Sequence, residues 1–439
     1  MTTKKSAEKK LVSIKKSPKS LGKPMKGRDI LVKALVNEGV TVIFGYPGGA
    51  SMEIHQGLTL APKIRMVLPR HEQGGSFAAG GYARATGEVG VCLATSGPGA
   101  TNLITGIIDA KMDSIPIIAI TGQVPSTVLG SDAFQETDIM GATFPLVKHS
   151  YMIQNVAEIP RIIHEAFHIA RTGRPGPVLV DVPKNIQQQE GIADFDVSFD
   201  VPSYRPNLKP SILQCKKAAH TIQTAKRPII YAGGGIISSG ASAELRAFVK
   251  KTGIPVTTTV MGLGAYPSTD PLSLRMLGMH GAVYANIAMN HADLVIAMGV
   301  RFDDRVTGKL AEFCKNAQII HIDIDPTEIN KNIVVDIPIQ GDVKQALKIL
   351  HDYIEPNKDI KPWIKQVQGW KKEFPLEFKL KKGEIVPQAV VSEINKLADD
   401  NAIFSVGVGQ HQMWAAQFLD FDKPNNWLCS SGLGAMGYG

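Results

Sequence analysis

The chain is 439 residues long, 44% hydrophobic and 20% charged, with a formal net charge of +8, the composition of an ordinary folded protein with room for roughly two to four domains. The charge excludes a nucleic-acid binder, because nine lysines fall within residues 1–26 against the single acid Glu8 and the rest is neutral overall, which leaves no basic surface to release counterions. Four scattered cysteines without a CxxC pair exclude a disulfide scaffold or zinc knuckle, and the lack of any uncharged apolar window of about 18 residues excludes a membrane-spanning helix.

Residues 1–26 read as a basic, disordered, solubilising arm, with a targeting segment or a contact arm for an acidic partner as the alternatives, and carry neither the apolar core of a secretory signal nor the arginines of a mitochondrial leader. A cytoplasmic protein is expected. From residue 27 to 187, short apolar runs ending in small residues recur at Val42–Gly45, Val91–Gly97, Ile115–Gly122 and Val178–Pro183. Helical patterns lie between them, as in Ile159, Ile162, Ile163, Ala166, Phe167 and Ala170. This alternation predicts a parallel sheet buried on both faces by crossover helices. The rhythm lapses over a linker at 188–210 and resumes over 211–350 with Pro228–Gly233, Ile254–Thr259, Asp293–Gly299 and Gln318–Pro326. A second linker at 351–382 leads to a third unit, 383–439, with a helix over Pro387–Leu397 and a strand over Asn401–Gly407. That unit has too few strands for a core of its own.

Open α/β sheets place ligands beyond the carboxyl ends of their strands, and the chemistry-bearing residues fall there. Glu72, in Pro69-Arg70-His71-Glu72-Gln73-Gly74, follows the run Ile64–Leu68, which reads as a buried strand, and opens a helix. A carboxylate in such a place either satisfies a helix N-terminus or manages a proton. Gly45-Tyr46-Pro47-Gly48-Gly49-Ala50 and Ser96-Gly97-Pro98-Gly99-Ala100-Thr101-Asn102 are strand-turn-helix joints whose small residues let backbone approach a flat ligand. Neither is a P-loop, since no Lys-Ser/Thr pair follows. Arg301-Phe302-Asp303-Asp304-Arg305 alternates charge at a strand end, and its plain reading is a salt-bridged loop.

Taken in order, six stretches resemble the catalytic subunits of acetohydroxyacid (acetolactate) synthases, within the thiamine-diphosphate-dependent enzymes: Phe44–Ala50, Arg70–Gly74, Thr95–Asn102, Gly173–Asp181, Arg301–Gly308 and Gly409–Gln417. The resemblance runs in register from about residue 26 to 439. It implies an α/β fold of three domains with open parallel sheets flanked by helices, the third cut short. It implies decarboxylation of pyruvate and ligation to a second 2-oxoacid, pyruvate or 2-oxobutyrate, in branched-chain amino-acid biosynthesis. Two other readings stay open: an inactive subunit with a structural or regulatory role, or another thiamine-dependent carboligase or decarboxylase.

The resemblance also assigns residues. Glu72 would share a proton with N1′ of the cofactor's aminopyrimidine. Gly49 belongs to a cofactor-facing turn, Gly409, Gln410 and His411 match residues near the diphosphate, and Gly434 and Met436 match those that hold the aminopyrimidine. Gln135, with Phe134 beside it, and Lys184 would face the substrate channel, and Arg305 would take the carboxylate of the second 2-oxoacid. FAD, in a structural role, would lie among Arg174, Gly233, Gly234, Thr259, Met279, His280, Gly299, Arg301, Asp303, Asp323 and Asp342. The family holds Mg2+ through a Gly-Asp-Gly segment and a later asparagine, which are expected beyond residue 439. No metal ligand is assigned here, and weak thiamine diphosphate retention is expected if the chain ends at that point. A homodimer or higher oligomer is implied, because the family builds its site between subunits, and a small regulatory subunit is a further implied partner. No nucleic acid or membrane is expected to take part.

Overall fold

The computed structural model describes residues 22–196, 201–355, 358–380 and 382–439, so most of the predicted basic arm, residues 1–21, lies outside the described residues. Strands β1 (Val42–Gly45), β2 (Arg65–Val67), β3 (Gly90–Ala94), β4 (Ile117–Gln123), β5 (His149–Met152) and β6 (Val178–Pro183) form a sheet in the order β2-β1-β3-β4-β6-β5. Every pairing in it is parallel. The apolar runs of β3, β4 and β6 have no polar face because both faces are covered. Val91, Leu93, Ile118, Ile120, Val178 and Val180 pack with Ile30, Leu35 and Ile163 on one side, while Cys92, Ala94, Ile117, Ala119 and Leu179 pack with Leu103, Ile107 and Ala110 on the other. Alternate residues of a strand must point to opposite faces.

A second sheet repeats the plan. Its strands are β7 (Pro228–Ala232), β8 (Val256–Thr258), β9 (Ser273–Met276), β10 (Leu294–Met298), β11 (Gln318–Asp323) and β12 (Ile337–Gln340), again all parallel, in the order β9-β8-β7-β10-β11-β12. The third unit has one parallel pair, β13 (Phe404–Val406) with β14 (Trp427–Cys429), and the helices Pro387–Leu397 and Gln410–Phe418. It shares a core with its neighbours. Ala415, Leu419, Phe421 and Trp427 cluster with Leu263 and Met276 of the second unit, and Leu428, Ala435 and Tyr438 close on Phe77 of the first.

One expectation fails here. The strand leading to Glu72 is not buried: β2 is a sheet edge in which Arg65 and Met66 are exposed. Its apolar run is short, and an edge strand has a neighbour on one side alone. The strands of the two large sheets that the apolar-run reading misses, β5, β9 and β12, are likewise edges, where half the residues need not be apolar.

Candidate active site and cofactor cavity

In the first sheet the chain passes from β1 to β2 and then to β3 on the other side of β1. The loops leaving β1 and β3 therefore diverge and open a crevice, the usual ligand position in such sheets. The Ala50 N–H donates to Thr95 Oγ1 at 3.1 Å, and a Cβ on Gly48 would fall 2.5 Å from the Thr95 Cβ, so that turn tolerates only glycine. Beside it, Gly49 faces open space, with nothing within 4 Å of where its Cβ would stand.

Glu72 is half-buried at the first position of the Glu72–Thr86 helix. His71 caps that helix, its Nδ1 accepting from the Gln73 N–H at 3.1 Å. The Asn102 amide donates to Glu72 Oε2 at 3.0 Å. Glu72 Oε1 lies 3.3 Å from where a Gly99 Cβ would be, so the glycine leaves room for the carboxylate. Gln135 has φ of 60°, and its carbonyl oxygen lies 2.7 Å from the Cβ position of Gly97. Glu72, Gly99, Asn102 and Gln135 thus gather around one turn. Lys184, half-buried, opens the Lys184–Gln188 helix at the end of β6. Phe134 is 89% exposed. Asn102 lies within a motif that the sequence marks as a turn, but a 30-residue separation hides its contact with Glu72.

Beneath the crevice, Asp181 is buried on β6 and accepts from Thr121 Oγ1 at 2.6 Å and Gln123 Nε2 at 3.0 Å. Burial raises its carboxyl to about 7, against the opposing pull of those two donors.

The second sheet has its own switch point, where β7 leads to β8 and β9 and the chain returns to β10 on the other side of β7. A cavity of about 710 Å³ opens there, bordered by all three units and within the usual size for cofactor clefts of about 300–1,000 Å³. Gly234 follows β7, Thr259 follows β8, and Met279 and His280 follow β9 along its wall. Gly299, Arg301, Asp303 and Arg305 follow β10, Asp323 ends β11 and Asp342 follows β12. Gly233 stands behind the wall, its N–H donating to the Met298 carbonyl at 3.0 Å. A Cβ on Gly235 would sit 2.6 Å from the Gly299 Cα, and Gly299 has φ of 61°, so two glycines make the floor.

Several of these side chains already have work. Arg174 donates to Glu328 at 2.7 Å, Asp325 at 3.1 Å and Ser114 at 2.8 Å, and although burial opposes its charge, Glu328 and Asp325 hold its pKa above the ordinary value. Asp342 caps the Val343–Tyr353 helix through the Gln345 N–H at 3.0 Å, and Asp303 accepts from the Arg305 N–H at 3.2 Å. Asp323 is pushed up to about 7 by burial, against the Asp325 N–H and the charge of Arg174. Arg305 has a side chain 70% exposed, with Asp304 at 3.6 Å, too open a pair to hold the guanidinium in place.

In the third unit the His411 ring folds back on its own loop, 3.0 Å from the Cβ position of Gly409 and 3.2 Å from that of Gly407, while Gly434 has φ of 68°. Gln410 and His411 are exposed, as is Met436 at 72%. Gly434 borders the cavity and Glu72 does not. A buried cluster that sequence reasoning missed ties this loop to the first unit. Asp113 accepts from the N–H groups of Gly432 at 2.7 Å and Ser431 at 2.9 Å, and Arg84 donates to it at 2.8 Å and to Asp109 at 3.3 Å. Burial lifts Asp109 to about 6, against the opposing charge of Arg84. Nothing in sequence spacing links residue 113 with residue 431. Among the described residues, no group of three His, Cys, Asp or Glu is placed to hold a metal. Nor is any helix among them long and apolar enough to cross a membrane.

Both sheets carry the sequence of one class of enzyme. The N-terminal thiamine pyrophosphate (TPP) binding domain of thiamine pyrophosphate enzymes matches residues 25–142, their central domain matches 215–350, and their C-terminal TPP binding domain matches 407–439. The chain belongs to the thiamine pyrophosphate enzymes. Within them its kinship is with acetolactate synthases. It is 55% identical to acetolactate synthase 3, chloroplastic, of Brassica napus over 95% of this chain and 65% of that protein. It is 54% identical to the chloroplastic acetolactate synthase of Arabidopsis thaliana, over 95% and 63%, and 52% identical to chloroplastic acetolactate synthase 1 of Zea mays, over 95% and 66%. The chain therefore spans a little under two-thirds of the first two relatives. The expectation of a cytoplasmic protein is overturned, since all three relatives are chloroplastic.

Proposed function

We propose that this chain is the cofactor-binding part of an acetolactate synthase, which joins the two-carbon unit left by decarboxylation of pyruvate to a second 2-oxoacid, pyruvate or 2-oxobutyrate. One observation supports this above the rest. Glu72 stands at a topological switch point with Oε2 held by the Asn102 amide at 3.0 Å and Oε1 turned to a glycine. Bound thiamine diphosphate supplies a carbon nucleophile and an electron sink. Glu72 would exchange one proton at Oε1 with the pyrimidine ring nitrogen, while Asn102 fixes the other oxygen so that the proton has one address. Gly49 leaves the crevice wall open for the ring, and Gln135 and Lys184, at the same carboxyl edge, would orient the substrate. Arg305, at the cavity rim, would take the second 2-oxoacid's carboxylate with its planar fork.

The third unit's part is proposed from a second copy of the chain. Gly409, Gln410, His411, Gly434 and Met436 carry the diphosphate and pyrimidine contacts in this reading. The exposure of Met436 and the separation of Gly434 from Glu72 support a site completed across a dimer. The glycine-floored cavity would suit FAD, which Gly234, Thr259, Gly299, Arg301, Asp323 and Asp342 would border, with Gly233 supporting the wall from behind. The flavin would serve structure here, with no step passing through it.

Incubation with thiamine diphosphate, Mg2+, FAD and pyruvate, alone and with 2-oxobutyrate, tests the reading by product analysis. The expected products are 2-acetolactate and 2-aceto-2-hydroxybutyrate. Acetaldehyde alone would assign a plain decarboxylase instead.

A further inference from the structure

Between Gly130 and Glu136 the chain makes a tight loop with three residues at positive φ: Gly130 at 83°, Asp132 at 56° and Gln135 at 60°. Glycine adopts such angles freely, whereas for Asp132 and Gln135 each one costs free energy. Something must hold the loop in this shape. The Glu136 carboxylate does so, accepting the Gly130 N–H on Oε1 and the Ala133 N–H on Oε2, the latter at 2.9 Å. The backbone closes the same ring, with the Glu136 N–H donating to the Ala133 carbonyl at 2.8 Å. The donors from Gly130 and Ala133 hold the Glu136 carboxyl below the usual carboxylate range.

The loop's far end is tied down as well. Gln123 Nε2 donates to the Thr137 carbonyl at 2.9 Å. Its near surface rests on Gly97, whose Cβ would lie 2.7 Å from the Gln135 carbonyl oxygen and 3.0 Å from its Cα. Gly97 begins the turn that carries Gly99 and Asn102 to Glu72.

We propose that Glu136 is a positioning residue, a staple that sets Gln135 against the Glu72 crevice and so governs substrate binding rather than proton transfer. The placement of Gln135 at the substrate rests on the function proposed above. The staple itself does not.

The test uses the full chain and compares wild type with Glu136→Ala and Glu136→Gln. Amide hydrogen exchange at Gly130 and Ala133 is read first, without cofactors. Glu136→Ala should speed exchange at both amides by about tenfold or more, while core strands β3 and β4 and the melting temperature stay as in wild type. Glu136→Gln keeps one carbonyl acceptor and should fall between. With thiamine diphosphate, Mg2+ and FAD, Glu136→Ala should raise the KM for pyruvate by about tenfold with kcat within about twofold, since lost substrate placement acts on binding. Unchanged exchange at Gly130 and Ala133 would overturn the staple. Faster exchange with unchanged KM would overturn its role in substrate placement. A wild-type chain with no thiamine-dependent turnover would sink the proposed function instead, and the exchange measurement would still decide the staple.

Discussion

The two large sheets are near copies in plan, each six parallel strands with a reversal of direction beside its first strand, yet they offer different chemistry at the same point. At the first reversal a carboxylate, Glu72, meets an amide and a glycine. At the second, two glycines, Gly235 and Gly299, approach so closely that no side chain fits, and a cavity of about 710 Å³ opens over them. The strands therefore fix where a ligand goes, and the residues that follow them fix what is done to it. A proton-handling site needs a titratable group in a shaped gap. A holding site needs backbone and room.

If the two sites are joined through the third unit, the joint should be costly to break. Asp113→Ala removes the acceptor of two backbone N–H groups and leaves Arg84 buried without its nearest partner. It should destabilise the chain by about 3–5 kcal/mol in urea denaturation. A loss under about 1 kcal/mol would mean that the units stand apart.

Gly299→Ala sharpens the contrast from the other side. The new Cβ would meet Gly235 at 2.5 Å with φ at 61°, and the strain should cost about 2 kcal/mol or more. Flavin fluorescence titration should show that FAD no longer binds, while the Glu72 crevice stays intact. FAD binding at the wild-type affinity would place the flavin elsewhere.

A third effect is one of pH. Asp181 has its carboxyl raised to about 7 in the folded chain, above the unfolded value of about 3.9. Its contribution to stability is therefore fully present below about pH 4 and lost as pH rises through about 7. Asp181→Asn should flatten the fall in unfolding free energy across that window by up to about 1.4 kcal/mol per pH unit. An identical slope in the variant would show that Asp181 does not carry it.

Much of the fold is legible in the amino-acid sequence alone. Strand β1 and the fully buried β6 begin and end as their apolar runs do, and the Pro387–Leu397 helix lies where its pattern predicts. Those signals are local, because a strand covered on both faces must be apolar throughout. The edge strands β5, β9 and β12 are hidden since a strand with a neighbour on one side alone can carry polar residues such as His149, Ser273 and Gln340. The motif of Glu72 is plain, but its partner Asn102 is not, and Arg84, Asp109 and Asp113 look like ordinary helix charges. A contact across hundreds of residues, such as Asp113 with Gly432, leaves no trace in spacing. The exposed state of β2, whose apolar run looks buried, shows the converse error: three residues are too few to tell an edge from a centre.

The proposed chemistry turns on the Glu72 carboxylate passing a proton to and from the cofactor's pyrimidine ring. Its most direct test is hydrogen–deuterium exchange at the thiazolium C2 carbon of bound thiamine diphosphate, in wild type and in Glu72→Gln, with cofactor binding and melting temperature measured alongside. The variant should bind and fold as wild type and exchange at least about 100-fold more slowly. Exchange at the wild-type rate in Glu72→Gln would contradict the assignment.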